Sequence, residues 1–296
     1  MKKEEPKKHV EIGLKYNLDL VEDVNNILAQ DFWVYCNFEG SMIPKFTDPI
    51  KFTSSCSIFV KEGEGRIEID LLPYEFKAPC IVNIRQGQII QDAQIRGNFN
   101  ASFIVLSKRF CDNLFLLLKE SSSYSTATLN HLVEVPPNLI DKFDNFYCHI
   151  SEIFADSHNS DAYQAMILAI ASFFYECGTK CYAPITNIAK MPGGRLTEKF
   201  LSLVQRHFKQ ERFLDFYANQ LELSTKHLSR KVKEATGFSA VEWIDRFIIL
   251  EAKVLLKSTN MSIQQISDEL NFNSQSFFGK YFKKHTGLSP KDFRNS

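Results

Sequence analysis

The feature that most constrains the fold of this chain is an internal repeat in its last third. The segment LSTKHLSRKVKEATGFSAVEWI, which starts at Leu223, matches NSQSFFGKYFKKHTGLSPKDF, which starts at Asn273, at an offset of fifty residues. Upstream, with one residue of slip, Ala218-x-x-Leu221-x-Leu223 parallels Ser267-x-x-Leu270-x-Phe272. Self-similarity of this kind predicts two copies of one supersecondary unit.

Each copy has the pattern of two short helices joined by a tight turn. The first helix is predicted over residues 213–221 in one copy and 262–270 in the other. Ser224 and Ser274 are predicted N-caps of the second helix, because a serine hydroxyl can accept a bond from the free amides of a first turn. Gly237 and Gly287 are predicted to end it in the left-handed conformation.

The second helix of each copy has one apolar and one polar side. Leu228 and Val232 in one copy, and Phe278 and Phe282 in the other, are predicted to pack onto the first helix. The remaining positions are polar or basic: Lys226, Ser229, Arg230 and Lys233, then Gln275, Ser276, Lys280, Lys283 and Lys284. This pattern predicts a helix-turn-helix whose second helix is presented outward, as entry into a major groove requires.

The segment between the copies predicts one long helix over residues 239–256. Its apolar stripe consists of Val241, Ile244, Ile248, Ala252 and Leu255. Such a helix would fix the distance between the two copies. Ahead of them, a supporting helix is predicted from Leu196, Phe200, Leu203, Val204 and His207.

On these residues the last hundred positions resemble the DNA-binding domain of the AraC/XylS family of bacterial regulators. The second copy carries the signature Ile263-x-x-Ile266-(x)3-Leu270-x-Phe272, then Phe277-Phe278-x-x-Tyr281-Phe282-Lys283-Lys284-x-x-Gly287-x-Ser289-Pro290-x-x-Phe293-Arg294. The first copy and the connecting helix add Leu228-Ser229-Arg230-x-x-Lys233-x-x-Thr236-Gly237 and Arg246-(x)5-Ala252-x-x-Leu255-Leu256. The front of the chain, rich in strands and followed by helices, is similar to the effector-binding and dimerisation half of the family.

The resemblance implies which side chains contact DNA. The implied base-reading residues are Lys226, Ser229 and Arg230 in the first copy and Gln275, Ser276 and Lys280 in the second. Arginine and lysine can pair with guanine acceptors, and glutamine can pair with adenine. The phosphate candidates are Arg206, Lys233, Lys283, Lys284 and Lys291.

Three positions depart from the family pattern. Asn271 stands where glycine is usual, and asparagine tolerates the left-handed turn that this position requires. Gly279 lies inside the second base-reading helix, which costs about 1 kcal/mol of helix stability relative to alanine and removes one base contact. Phe293 replaces a tyrosine. These departures favour the first copy as the main source of base recognition.

The N-terminal part of the chain predicts a small barrel or sandwich. Strands are predicted over residues 32–36, 57–60, 66–71, 74–76, 80–84 and 102–106, with a turn at residues 62–65. Two amphipathic helices follow over residues 137–178, with a break at residues 157–160. These helices either cover the barrel, or one of them forms a dimer seam.

The predicted fold class is therefore α+β with two domains. A cupin-like β-barrel (about residues 30–110) with its helices (about 107–178) forms an effector-binding and dimerisation domain over residues 1–180. Residues 181–195, within a stretch with two prolines and three glycines, form a linker. An all-α domain with two helix-turn-helix motifs joined by a long helix spans residues 196–296.

The net charge of zero hides an asymmetry that agrees with this division. Residues 195–296 hold 17 Lys+Arg against 11 Asp+Glu, and the remainder holds 18 against 24. A basic C-terminal third beside an acidic front predicts a polyanionic partner for the C-terminal third.

Enzyme and metal chemistry find no support in the sequence. The seven histidines are His9, His131, His149, His158, His207, His227 and His285, so none falls on the predicted barrel strands. The seven cysteines are scattered, with Cys177 and Cys181 as the only close pair. No phosphate loop, dinucleotide fingerprint or nucleophile elbow occurs. We therefore expect no metal, no cofactor and no enzymatic activity.

The sequence favours a sequence-specific transcription regulator, with activation as the expected mode. Its expected partners are double-stranded promoter DNA, RNA polymerase by resemblance, a small-molecule effector in the barrel and a second copy of the chain. No signal peptide or membrane span is expected, so the predicted location is cytoplasmic. The alternative is a ligand- or partner-binding protein with largely non-specific DNA binding; a barrel enzyme is disfavoured by the positions of the histidines.

Overall fold

The described residues form two compact units. A computed structural model of the chain describes residues 31–39, 48–118, 130–156, 160–178, 180–181 and 193–296. One unit contains the described residues up to 181 and the other contains residues 193–296. Most of the predicted linker lies outside the described residues. The prediction of an N-terminal sheet domain and a C-terminal helical domain is confirmed.

The N-terminal unit contains a seven-stranded sheet. Its strands are β1 (Phe32–Glu39), β2 (Ile50–Lys51), β3 (Ser55–Ile69), β4 (Leu72–Lys77), β5 (Cys80–Ile84), β6 (Ile89–Leu106) and β7 (Leu132–Glu134). The main path through the sheet is β1-β6-β3-β5-β7, with β2 on β6 and β4 on β3, and the pairs are antiparallel. The pairings among the described residues do not join β1 to β7. The observed sheet is therefore open, and the cupin-like barrel stays a prediction.

The turn predicted at residues 62–65 is wrong, because these residues continue a single strand. β3 runs through them in register with β6, interrupted by shifts between Val60 and Glu62 and between Glu62 and Glu64. Gly63 has a φ of +103°, and a Cβ on Gly65 would lie 2.3 Å from the carbonyl oxygen of Gln94. Gly63 thus lies at a β-bulge, and Gly65 allows the backbone of β6 to approach closely; neither glycine reverses the chain.

The actual reversal comes at the end of the predicted strand 66–71. Asp70 and Leu71 both have positive φ, 49° and 69°, and they connect β3 to β4. Asp70 is buried and accepts bonds from the Gln88 side chain and the Ile89 amide, each at 2.8 Å. The carboxylate holds the turn against the start of β6, which is why an alternating pattern ends here without glycine.

Three helices of the N-terminal unit pack on one face of the sheet. They are α1 (Lys108–Leu118), α2 (Ile140–Ala155) and α3 (Ala162–Cys177), with a 3₁₀ turn at Pro137–Leu139. Phe59 of β3 packs against the aromatic rings of Phe143 and Tyr147 on α2, with ring centroids 5.0 and 6.0 Å away. A second core of Ile67, Ile69, Val82 and their neighbours occupies the other side. The helices therefore cover the sheet, which was one of the two alternatives; a dimer seam stays a prediction.

The C-terminal unit is helical throughout. Its helices are α4 (Gly194–His207), α5 (Leu214–Gln220), α6 (Thr225–Thr236), α7 (Ala240–Ser258), α8 (Ile263–Glu269), α9 (Gln275–Thr286) and α10 (Pro290–Asn295). The predicted long helix is α7, which begins with a capping box between Ser239 and Glu242. Trp243, Ile244, Phe247, Ile248 and Leu250 are among its buried side chains. Across the described residues, no helix is long and apolar enough to cross a membrane.

Candidate nucleic-acid interface

Two helix pairs of the same construction, α5 with α6 and α8 with α9, form the candidate site. In both pairs the first helix ends in a left-handed residue, Glu222 in one and Asn271 in the other, each with a φ of +55°. The amide of Leu223 then bonds the carbonyl of Ala218 at 2.9 Å, and the second pair repeats this bond between Phe272 and Ser267 at 2.8 Å. This bond closes the helix end as in a Schellman motif and turns the chain sharply toward the second helix.

The second helix of each pair, α6 or α9, is capped at both ends; we call these two the reading helices. The Ser224 hydroxyl accepts a bond from the His227 amide at 3.3 Å, and the Ser274 hydroxyl accepts one from the Phe277 amide at 3.2 Å. Gly237 and Gly287 close the helices, each with a φ of +81°. A Cβ at either glycine would meet nothing within 4 Å, so backbone conformation, not space, favours glycine there.

The inner side of each reading helix is fully buried. Leu228 and Val232 on α6 and Phe278 and Phe282 on α9 have no exposed surface. Their burial fixes the rotation of each helix about its own axis, because positions three and four apart share a face. The opposite face is thereby held toward solvent.

The outward faces carry the predicted base-reading residues. Five of the six are exposed, and Ser229 is half-buried: Lys226, Arg230, Gln275, Ser276 and Lys280 make up the exposed group. Arg230 lies 3.8 Å from Glu234, a long contact between exposed side chains that costs little to break. Lys231, which is not a predicted contact, pairs with the same carboxylate at 2.9 Å.

The predicted phosphate-contacting side chains are also exposed. They are Arg206 on α4, Lys233 on α6, Lys283 and Lys284 on α9, and Lys291 on α10. The Arg206 guanidinium donates to the Ser202 hydroxyl, one helical turn earlier, at 3.1 Å. The exposed positive charges of α9 follow its uncharged first turn, so this helix has a polar N-terminal end and a cationic C-terminal half.

Both reading helices are fixed to α7. The Trp243 indole N–H donates to the Thr236 hydroxyl at 2.8 Å, which ties the end of α6 to the start of α7. The Tyr281 hydroxyl on α9 donates to the Asp245 carboxylate at 2.7 Å. Burial, together with the Asp245 charge, raises the pKa of Tyr281, so this hydroxyl keeps its proton at neutral pH.

A loop that follows α4 ties the two pairs to each other. The Lys209 ammonium lies 3.1 Å from the buried carboxylate of Glu251 on α7 and 2.6 Å from Glu269 at the end of α8. The Arg212 guanidinium donates to the Leu270 carbonyl at 2.7 Å and stacks 3.6 Å from the Phe272 ring centroid. These contacts attach the loop that leads into α5 to α7 and to the end of α8, and so give the two pairs a connection besides α7.

Sequence reasoning left out two residues on the outward faces. His227 and Phe277 occupy the same position of the two reading helices, and both are exposed. Phe277 appears in the family signature beside Phe278, but neither it nor His227 was among the predicted contact residues. The helical period could have separated Phe277 from Phe278, because Phe278 and Phe282 share the buried face and Phe277 does not.

The described residues contain no candidate metal site. Within residues 31–39, 48–118, 130–156, 160–178, 180–181 and 193–296, no group of three or more His, Cys, Asp or Glu side chains could hold a metal ion. The arrangement of exposed basic and amide side chains on capped helices is suited to binding a polyanion with hydrogen-bonding edges.

Comparison with known proteins points to the same residues. A family model described as a helix-turn-helix domain matches residues 217–296. The arabinose operon regulatory protein of Escherichia coli (strain K12) is 36% identical over 77 residues, which is 26% of this chain and 26% of that protein. The HTH-type transcriptional activator RhaS of Escherichia coli (strain K12 / DH10B) is 29% identical over 94 residues, 32% of this chain and 34% of RhaS.

The aligned segments span only about a quarter to a third of the length of these relatives. Among solved structures, ToxT from Vibrio cholerae aligns over 89% of this chain and 98% of that chain, with 17% identity and a TM-score of 0.41. The matched residues 217–296 contain all six predicted base-reading positions, and Arg206 lies outside them.

Proposed function

We propose, from the premise that residues 217–296 belong to the AraC/XylS helix-turn-helix family, that this chain is a sequence-specific DNA-binding transcription regulator. The observation that carries the proposal is the construction of the reading helices. Each is capped by serine and glycine, has a fully buried inner face, and exposes polar and basic side chains on the other. A helix held in this way can insert into a major groove without losing its packing.

Base recognition follows from the donors and acceptors on the outward faces. Arg230 and Lys280 can donate to the O6 and N7 acceptors of guanine, and Gln275 can bond adenine in a bidentate manner. Each such pair discriminates against a wrong base by about 1–3 kcal/mol. Lys226, Ser229 and Ser276 are proposed to complete the reading set.

Two reading helices fixed to one long helix are proposed to address two successive major-groove segments. Such segments lie roughly 34 Å apart on one face of B-DNA. The bonds that Trp243 donates to Thr236 and Tyr281 donates to Asp245 support this, because they restrain each reading helix relative to α7. The operator is therefore expected to have two half-elements about one helical turn apart, with local bending where the fit demands it.

The N-terminal unit is proposed to provide effector binding and dimerisation within a domain of residues 1–180. Apolar side chains stay exposed on α1 and α3, which suits contact with a second copy: Phe115, Leu116, Leu117, Leu168 and Tyr175. The described part of the sheet also has a very open cleft of about 460 Å³, lined by side chains of both charges, to which a small-molecule effector could bind: Lys61, Glu62, Glu64, Lys77 and Arg96 are among them. Activation through RNA polymerase is proposed by analogy with RhaS, whose name describes an activator.

The proposal is tested by selecting bound fragments from sheared genomic DNA of the source organism with the purified full-length chain. The double variant Arg230→Ala, Lys280→Ala removes one cation from each reading helix, and Lys199→Ala, Lys257→Ala is the matched control, because it removes two cations from α4 and α7. We expect a motif with two half-elements that the reading-helix variant fails to recover and the control recovers. Recovery without a shared motif, or equal recovery by both variants, would favour the alternative of non-specific DNA binding.

A further inference from the structure

Phe277 is an aromatic side chain on the outward side of a reading helix, in surroundings that are otherwise polar and cationic. Its ring is 55% exposed, and it is the one large apolar side chain that α6 and α9 leave exposed in the part of the chain that the structure describes. Lys280, one turn along the same face, and Lys283 and Lys284 beyond it are exposed as well.

Packing within the helix pair does not account for this exposure. The ring of Phe277 lies at a centroid distance of 6.0 Å from that of Phe272. Phe272 is only 5% exposed, and its ring already packs against Phe278, Tyr281 and the Arg212 guanidinium. Phe277 therefore adds little to the core and leaves more than half of its own surface in water.

The position of Phe277 along α9 matches the place where a reading helix meets base edges. Its amide is the group that the Ser274 cap binds, so the side chain belongs to the first turn of the helix. In helix-turn-helix proteins the N-terminal residues of the second helix contact bases. The exposed lysines further along the same helix favour a polyanion over an apolar protein surface as its partner.

The apolar group that a major groove displays is the C5 methyl of thymine, and it contacts apolar side chains, including phenylalanine. We infer that Phe277 reads the 5-methyl group of a thymine in the half-element bound by α9. This inference rests on the proposed function and deepens it, since it assigns a specificity-determining residue and the base it selects. It also gives α9 a base contact that the glycine at position 279 cannot supply.

The equivalent position of the first reading helix holds a polar residue, His227. The two half-elements are therefore expected to differ in chemistry as well as in sequence. Methyl recognition belongs to the half-element of α9, and that of α6 is read by hydrogen bonds from Arg230 and its neighbours. His227 is therefore the matched control position for substitutions at Phe277.

The test uses the full-length chain and a random duplex pool made with thymidine, from which bound duplexes are selected. In the enriched duplex each thymine is then replaced, one at a time, by deoxyuridine, which lacks only the methyl group. We expect one or two positions within a single half-element where the replacement weakens binding about fourfold, the equivalent of one buried methylene. His227→Ala is expected to keep this penalty.

The Phe277 variants assign the penalty to its source. Phe277→Ala is expected to bind the thymine and deoxyuridine duplexes equally, and Phe277→Leu to keep part of the difference, because it retains an apolar side chain. A purely structural role of the ring would weaken both duplexes together and leave their ratio unchanged.

Three results would count against the inference. Wild-type protein that tolerates deoxyuridine at every position overturns the inference and leaves the proposed function in place. A penalty that persists in Phe277→Ala at the same position also overturns it, because another group must then contact the methyl. Failure to enrich any motif overturns the proposed function, and the inference with it.

Discussion

Backbone conformation at single glycines decides how the second reading helix is built. Gly279 and Gly287 lie eight positions apart, at the middle and at the end of α9, and a Cβ at either meets nothing within 4 Å. They differ in φ, which is +81° at Gly287 and not in the left-handed region at Gly279. Space is equal at the two positions, so any difference between them arises from backbone preference.

The same substitution should therefore have opposite effects at these positions. Gly279→Ala is expected to stabilise α9 by about 0.5–1 kcal/mol, because alanine lowers the entropy cost of a helical residue. Gly287→Ala is expected to destabilise it by about 1 kcal/mol through left-handed strain. Amide hydrogen exchange of the α9 peptides measures both. If both substitutions changed the stability of α9 in the same direction, contacts outside the helix would dominate over backbone preference.

A buried histidine couples the stability of the N-terminal unit to pH. The His131 Nδ1 proton is donated to the Asn83 carbonyl at 3.0 Å, and the donors of Arg85 and Gln88 each lie 3.3 Å from Nε2. Burial, and then the charge of Arg85, lower the pKa of His131 to about 4. The folded state thus holds this imidazole neutral over a range in which the unfolded chain protonates it.

Acid should accordingly weaken the N-terminal unit between about pH 6.5 and 5. The unfolded state binds more protons there, so stability falls as pH falls, by about 2 kcal/mol from pH 7 to pH 5. Burial raises the pKa of Asp70, so protonation of this carboxyl stabilises the folded state at lower pH and opposes the effect of His131. The comparison of stabilities is therefore restricted to pH values above about 5. Denaturation followed by Trp33 fluorescence in a Trp243→Phe background checks this. His131→Gln should remove the dependence, and an unchanged pH profile would contradict the assignment.

At the scale of elements, the loop that follows α4 joins the two helix pairs through one lysine. Burial lowers the pKa of Lys209, but the bond to Glu269 and the charge of Glu251 outweigh it, so the pKa lies above its ordinary value. Glu251 is 1% exposed, whereas the side chain of Glu269 is 43% exposed. The two carboxylates therefore depend on Lys209 to very different degrees.

Removal of this ammonium should destabilise the C-terminal unit far more than removal of its exposed partner. Lys209→Met takes away the cation that faces buried Glu251, at an expected cost of roughly 2–4 kcal/mol. Glu269→Gln is the matched control and should cost less than about 1 kcal/mol, because exposed ion pairs contribute little. Denaturation followed by Trp243 fluorescence in a Trp33→Phe background compares them. Equal losses would mean that Glu251 is satisfied without Lys209.

At the scale of the whole molecule, charge is separated between the two parts of the chain. The basic excess lies within residues 195–296, which also contain both reading helices. An acidic remainder is a poor second contact for DNA, because like charges repel. DNA affinity should therefore come from the C-terminal unit and decrease steeply with salt.

The salt dependence can be assigned to particular side chains. Each lysine that neutralises a phosphate contributes about 0.9 to the slope of log affinity against log salt. Lys283→Ala, Lys284→Ala is expected to reduce that slope by about 2 and to weaken binding to all sequences alike. The exposed Lys199 on α4 serves as control, since its replacement by alanine should leave the slope unchanged. An unaltered slope in the α9 variant would place these lysines away from the DNA backbone.

The sequence by itself determined the helices of the C-terminal unit, because the interactions that start, end and orient a helix act within one or two turns of chain. Helix ends, caps and buried faces of the two pairs depend on contacts a few residues apart, and the repeat displays them twice. The long helix α7 follows from the same period of 3.6, but its predicted stripe is only partly right, because Val241 is 46% exposed and Leu255 is half-buried. The left-handed conformation expected at Asn271 is present, and Glu222 shares it although no residue preference announces it.

Tertiary structure decided everything that depends on which elements meet. The strand that runs through Gly63 and Gly65 reads as a hairpin until its pairing with β6 is known, because glycine marks turns and bulges alike. Contacts of Lys209 and Arg212 with residues about sixty positions further on are invisible in the sequence, because no local period links them. The helical period of α9 places Phe278 and Phe282 on one face and Phe277 on another. Only the tertiary structure decides that Phe277 stays 55% exposed, because this depends on which other elements come near its ring.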